Sequence, residues 1–249
     1  MATIWQKSTP ESLYEIRKAG ESIRFYKGGV FHTQYNPRHL LSGNIWDLLS
    51  LPALFFKPGE VKRVLLLGMG GGAVIHHLYA LAGPRQITAV ELDPWAIEIS
   101  KRFFKVPQNN LEVHQADAGS WLSDYKGAPF DLIIDDLFMD IDAQPRRAID
   151  FNDDWYSLLE KHLGKKGLLV VNFDCRKTLN ESALLKVKKR CFVQACVFSH
   201  PAYENRVAVL SRRNIDRAQF RLTLGQLVMK DRRISRRRLN FSLRKLALP

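Results

Sequence analysis

At 249 residues, with 46% apolar and 10% aromatic side chains, the chain can bury one large core. No apolar run is long enough to span a bilayer, the first residues form neither a basic start nor an apolar leader, and the three cysteines lack paired metal-ligand spacing. These features exclude a membrane helix, a disulfide scaffold and a cysteine metal site; a cytoplasmic protein with buried cysteines in a reducing compartment is expected.

Residues 1–60 read as a preface. The alternation Ile23-Arg-Phe-Tyr, Lys27-Gly-Gly, Val30-Phe-His-Thr-Gln predicts a β-hairpin on a glycine turn, and 44–56 a helix interrupted by Pro52. From 61 to 211 strands and helices alternate. Strands are predicted at 63–67, 86–91, 111–115, 130–135 and 167–173, and helices at 72–82, 94–104, 118–124, 152–162 and 180–190. Apolar strands linked by helices imply a parallel sheet with right-handed crossovers. Two further strands, 191–199 and 206–211, are joined by a loop too short for a helix and so run antiparallel.

Residues 212–249 form a basic extension, with twelve arginines and lysines against Asp216 and Asp231. The spacing of Leu222, Leu224, Leu227 and Val228 predicts one amphipathic helix there. Such a block binds nucleic acid or another anionic surface by counterion release, or is a solvated helix face. Lying beyond the last predicted strand, it is expected to be dispensable for the sheet and its loops.

In an open α/β sheet the ligand sits beyond the carboxyl ends of the strands. The first strand runs into Gly68, Gly70, Gly71 and Gly72, where the backbone turns tightly beside the positive end of the next helix. The second ends on Glu91 and Asp93, placed to accept from ribose hydroxyls. After the third, Asp117 either accepts from an adenine amine beside the small Ala118 or caps the next helix. After the fourth come Asp135 and Asp136, adjacent carboxylates of which at most one faces the ligand. That one deprotonates or orients a nucleophile, holds a cation, or only caps the loop. Asp131 has a structural place. The scattered histidines give no metal-ligand pattern, so no metal is expected.

The whole order is that of a doubly wound, mostly parallel seven-stranded Rossmann-like sheet of the methyltransferase type, with an N-terminal hairpin and helix and a basic C-terminal helical extension. Segments 63–74, 90–93, 112–117, 130–136 and 155–172 resemble the spermidine synthase family within the class I S-adenosylmethionine-dependent methyltransferase fold, a likeness running from about residue 20 to 211. The resemblance implies a ribose contact for Glu91 and an adenine contact for Asp117. It also marks departures. Gly71 stands where the family has the loop aspartate that holds the amino end of decarboxylated S-adenosylmethionine. Asp136-Leu137-Phe138-Met139 replaces an Asp-Ser-Ser-Asp signature, keeping its first aspartate, and Asn172 stands for a glutamine.

A pocket for a diamine and an aminopropyl group needs carboxylates against buried positive charge, and two are missing. A net charge of +13 also repels polyamines. The sequence therefore favours a transferase of methyltransferase type using S-adenosylmethionine. The alternatives are a polyamine aminopropyltransferase using the decarboxylated form, with Asp135, Asp136 or Asp140 replacing the lost acid, and a non-catalytic nucleoside-binding protein. The expected partners are a small-molecule substrate, an anionic molecule or nucleic acid at the basic extension, and a second copy of the chain in a homodimer.

Overall fold

The computed structural model describes residues 1–141, 144–186 and 191–248. The chain opens with a four-stranded antiparallel meander, β1 (Ala2–Ser8), β2 (Leu13–Ala19), β3 (Ser22–Lys27) and β4 (Val30–Tyr35). The expected hairpin is β3–β4. Strands β1 and β2 add to it, unannounced because β1 reads ATIWQKS with only Trp5 partly covered. One face of the meander buries Tyr14, Ile16, Phe25 and Thr33. A short helix α1 (Ile45–Ser50) follows and tightens at Pro52 into a 3-10 turn, Leu51–Phe55, because proline lacks the N–H the helix needs.

The main sheet is built from β5 (Arg63–Leu67), β6 (Gln86–Glu91), β7 (Leu111–Gln115), β8 (Phe130–Asp135) and β11 (Leu163–Phe173), all parallel. Between them lie α2 (Ala73–Leu81), α3 (Pro94–Arg102), α4 (Ala118–Asp124) and α5 (Asp153–His162). A hairpin of β9 (Phe138–Ile141) and β10 (Gln144–Arg147) stands between β8 and α5. After α6 (Arg176–Glu181) come β12 (Gln194–Ser199) and β13 (Arg206–Ser211), with β13 antiparallel to both β11 and β12. Apolar runs mark the central strands because both faces are covered; Val64 to Leu67 and Leu132 to Ile134 are fully buried. The predicted helix 180–190 corresponds to α6 and a 3-10 turn at Ala183–Leu185, and its residues 187–190 lie outside the described residues.

With a last strand at Ser242–Leu246, β14, the order is β14-β12-β13-β11-β8-β5-β6-β7, an eight-stranded sheet. The eighth, β14 (Ser242–Leu246), comes from the basic extension and pairs antiparallel with β12. Before it, α7 (Arg217–Lys230) is capped by Asp216 and buries Phe220 and Leu224, with the Phe220 ring 5.0 Å from Phe55 and 5.7 Å from Phe198. Leu222, one of the four residues whose spacing predicts this helix, is exposed. Ile234 is buried, and the Arg233 carbonyl accepts from the Leu40 amide at 3.0 Å. The extension is thus a structural member of the sheet, and the expectation that the sheet is complete without it is corrected. The cysteines also differ from expectation: Cys196 is buried, Cys175 half-buried and Cys191 exposed.

Candidate active site

The strand order reverses between β5 and β8, and the carboxyl ends of these strands open on a cavity of about 410 Å3. That lies within the roughly 300–1,000 Å3 of ligand pockets. Gly68 and Gly70, Glu91, Asp117 and Ala118, Asp136 and Asn172 line its floor. The N-terminal sheet and α1 form its wall, through Phe25, Lys27, Phe31, His32 and Trp46.

Gly68 has φ +78°, and a Cβ there would collide with the Asp136 carbonyl oxygen, so the two strand ends meet only through glycine. The amides of Met69 and Gly70 donate to one oxygen of Glu91, at 2.9 and 3.0 Å. Its other oxygen accepts from the Asp93 amide at 3.0 Å. The glycine loop therefore orients the Glu91 carboxylate, which lines the cavity and keeps one lone-pair site, on Oε1, beyond these three bonds. Gly71 donates to Thr33 Oγ1 at 2.8 Å, and a Cβ on it would come within 3.0 Å of Phe104 and of Thr33. Gly72 does not line the cavity; it is the left-handed N-cap of α2.

Asp117 caps α4 through one oxygen, accepting from Ser120 N at 2.9 Å, and also lines the cavity. Ala118 beside it is buried. Asp131 accepts from the amides of Lys62 and Arg63 at 2.8 and 3.0 Å, tying β8 to the start of β5.

The adjacent acids part company. Asp135 is fully buried and is absent from the cavity lining; its Oδ2 accepts from Arg147 Nη2 and Trp155 Nε1, both at 2.8 Å. Asp136 lines the cavity, and its Oδ1 accepts from Asn172 Nδ2 at 2.8 Å. Burial pushes its pKa up to about 7; the Asn172 bond and Arg147 pull it down, while the Asp135 and Glu91 charges push it further up. Of the two, only Asp136 faces the cavity.

Several site residues escaped sequence reasoning. Lys27 on β3 forms an ion pair with Asp93 at 2.7 Å, and Tyr14 donates to the same carboxylate at 3.0 Å. His32 on β4 contacts Asp140 on β9 at 2.9 Å, joining the N-terminal sheet to the β9–β10 hairpin. Asn205 donates to Asn172 Oδ1 at 3.0 Å, and Tyr203 to Asn44 Oδ1 at 3.1 Å. The alternation around His32 was the one local signal; the other pairings are between distant segments. Among the described residues no group of three histidines, cysteines or acids comes together to hold a metal ion, and no helix is long and apolar enough to cross a membrane.

Residues 47–214 match the model of the spermine/spermidine synthase domain. The chain is 29% identical over 145 residues to polyamine aminopropyltransferase 2 of Caldanaerobacter subterraneus, covering 57% of this chain and 46% of that protein. It is 28% identical over 137 residues to an eEF1A lysine and N-terminal methyltransferase homolog of Drosophila pseudoobscura, covering 51% of this chain and 20% of that one. The chain thus spans less than half the length of these relatives. A probable spermidine synthase from Corynebacterium glutamicum has the same fold, with a TM-score of 0.70, 16% identity and coverage of 98% of this chain and 90% of that one.

Proposed function

Because the chain belongs to the spermine/spermidine synthase family, we propose that it transfers a carbon group from an S-adenosylmethionine-type sulfonium to an amine nitrogen, with Asp136 as the base. One observation carries this reading: the Asp136 carboxyl lines the cavity and accepts from Asn172, and burial there pushes its pKa up to about 7. An alkylammonium titrates near 10.4, so the uphill proton transfer spans roughly 3 units to Asp136 instead of more than 6 to an ordinary carboxylate. At about 1.4 kcal/mol per unit, that difference is on the order of 4 kcal/mol.

The residues present fit an adenosine. Glu91 offers an oriented carboxylate to a ribose, and Leu92, 67% exposed although it is a leucine, gives an apolar face beside Asp117 and Ala118. The sulfonium supplies an electrophilic carbon with a neutral thioether leaving group. Asp136 takes the ammonium proton, which frees the nitrogen lone pair. Asn172, held in turn by Asn205, keeps the carboxylate in place, and the N-terminal sheet forms one wall of the cavity.

Aminopropyl transfer from decarboxylated S-adenosylmethionine comes first, supported by the family match and the aminopropyltransferase relative. Methyl transfer, which the sequence alone ranked higher, comes second. Gly71 and Met139 favour it, because Thr33 and Phe104 close off the loop position and no acid stands at 139. The likeness to the eEF1A lysine and N-terminal methyltransferase homolog favours it as well. Each donor is offered separately with diamines, monoamines and a lysine peptide, and the thioether product is identified. Methylthioadenosine marks aminopropyl transfer and S-adenosylhomocysteine methyl transfer; neither product with any amine would overturn the proposal.

A further inference from the structure

Arg147 ends β10, the second strand of the hairpin that puts Phe138, Met139 and Pro145 into the cavity lining. Its side chain is only 5% exposed and lies over the Phe173 ring at 5.5 Å. The guanidinium donates to three different segments: to Asp135 Oδ2 at the end of β8 at 2.8 Å, to the Asn172 carbonyl at the end of β11 at 2.7 Å, and to the Ile149 carbonyl at 3.1 Å. Two of these partners are the immediate neighbours of the candidate base in space or sequence. Asp135 precedes Asp136, and Asn172 holds it.

We infer that Arg147 is a positioning residue: its planar guanidinium fastens the root of the cavity-covering hairpin to the ends of β8 and β11, and fixes the charge behind Asp136. The inference rests on the proposed role of Asp136. A rigid fork suits this task, since one flat group satisfies three acceptors in a fixed arrangement that a lysine ammonium on a flexible stem does not reproduce. At its tip the same hairpin meets the N-terminal sheet through Asp140 and His32. Arg147 anchors the opposite end, where the hairpin leaves the strands of the main sheet.

The charge arrangement makes this more than packing. Asp135 and Glu91 act on Asp136 as like charges, Arg147 as the opposite charge, and Asn172 as a neutral donor; Lys27 and His32 also line the cavity. Removing Asp135 while keeping Arg147 should make Asp136 more acidic. Removing Arg147 while keeping Asp135 should make it less acidic. A residue that only packs the hairpin would not produce opposite shifts.

The test follows the Asp136 carboxyl by carbon-13 titration in Asp135→Asn, Arg147→Met, Arg147→Lys and the double variant Asp135→Asn/Arg147→Met, alongside pH profiles of transfer. The Asp136 titration is expected to move down by about one pH unit in Asp135→Asn and up by a similar amount in Arg147→Met. It should return near the wild-type position in the double variant, which also remains informative if Arg147→Met leaves Asp135 unpaired and fails to fold. Arg147→Lys should keep the titration but raise KM at least fivefold, because charge is retained and the fork is lost. Asp136 titrating at one pH in all folded variants would overturn the inference. A wild type that transfers nothing would overturn the proposed reaction, and the carboxyl titrations would still decide the role of Arg147.

Discussion

Asn172 donates its side-chain amide to Asp136 Oδ1 over 2.8 Å and accepts from the Asn205 amide on its own Oδ1 at 3.0 Å. The second bond fixes which way round the Asn172 amide lies, so a donor always faces the carboxylate. A donor there favours the ionised form, while burial opposes it, and the balance leaves Asp136 half-ionised near pH 7. Transfer should rise with pH through about 7 as the base deprotonates. Asp136→Asn should lower kcat by about 10²–10⁴, the usual contribution of a general base, and abolish that rise. Steady-state rates between pH 5 and 9 check both; an unchanged profile in the variant would remove Asp136 from the reaction.

The same carboxyl makes a stability prediction. Its folded pKa of about 7 lies above the ordinary 3.8, so its contribution is fully present below about 3.8 and is lost as pH rises through about 7. At pH 8 the folded protein carries a desolvated charge that an asparagine lacks. Asp136→Asn should therefore be more stable than wild type at pH 8 by on the order of 2 kcal/mol, a full conversion being discounted for the water that reaches the cavity. At pH 4 the two should melt together. Denaturant titrations at both pH values decide it, and equal stability at pH 8 would contradict the proton affinity assigned to Asp136.

Glu91 serves two neighbours, the glycine-loop amides and the cavity. Glu91→Ala should weaken binding of methylthioadenosine by about 1.5–3 kcal/mol, through lost charged hydrogen bonds. Glu91→Gln keeps acceptor geometry on one oxygen and should fall between. Calorimetry with this single nucleoside reads the series. An alanine variant that binds as wild type does would confine Glu91 to holding the loop.

Gly68→Ala should lower stability by more than about 2 kcal/mol and abolish nucleoside binding, since it adds backbone collision to a left-handed φ of +78°. Gly83 is a matched control. It also has positive φ, +55°, but a Cβ there meets nothing closer than Tyr79 O at 3.9 Å, so Gly83→Ala should cost only about 1 kcal/mol and spare binding. Equal losses at the two sites would mean that conformational strain alone, without the contact to Asp136, explains Gly68.

The central sheet was legible because strands covered on both faces must be apolar throughout, as Val64 to Leu67 and Leu132 to Ile134 are. The floor of the site was legible for a related reason: glycines and acids at strand ends interrupt those runs. Less was readable where pairing with a distant segment replaces apolar pattern. Strand β1 is almost wholly exposed, and β9–β10, FMDI and QPRR, shows no apolar alternation. Lys27 reaches Asp93 across 66 positions, a partnership no local window contains. Asp135 and Asp136 were interchangeable as letters; Arg147 and Trp155 on one side and Asn172 on the other separate them.

The basic extension offers the last prediction. Five residues of β14 pair with β12, and Ser242 and Ser199 share a hydroxyl contact at 2.7 Å, so deletion of residues 242–249 should expose the β12 edge and destabilise the protein by a few kcal/mol, at about 1 kcal/mol per lost hydrogen bond. Truncation therefore confuses loss of charge with loss of a strand. Charge reversal separates them: Arg232, Arg237 and Arg238 are exposed, and their replacement by glutamate should leave the melting temperature within a few degrees of wild type. If the extension holds nucleic acid, RNA affinity should fall steeply with salt in the wild type, and the triple variant should bind more weakly with a shallower salt slope, because each lost phosphate contact reduces counterion release. Salt titrations of RNA binding on both proteins make the comparison. Absence of RNA binding by the wild type at low salt would leave the extension its observed role, an edge strand and a helix that complete the sheet and its core.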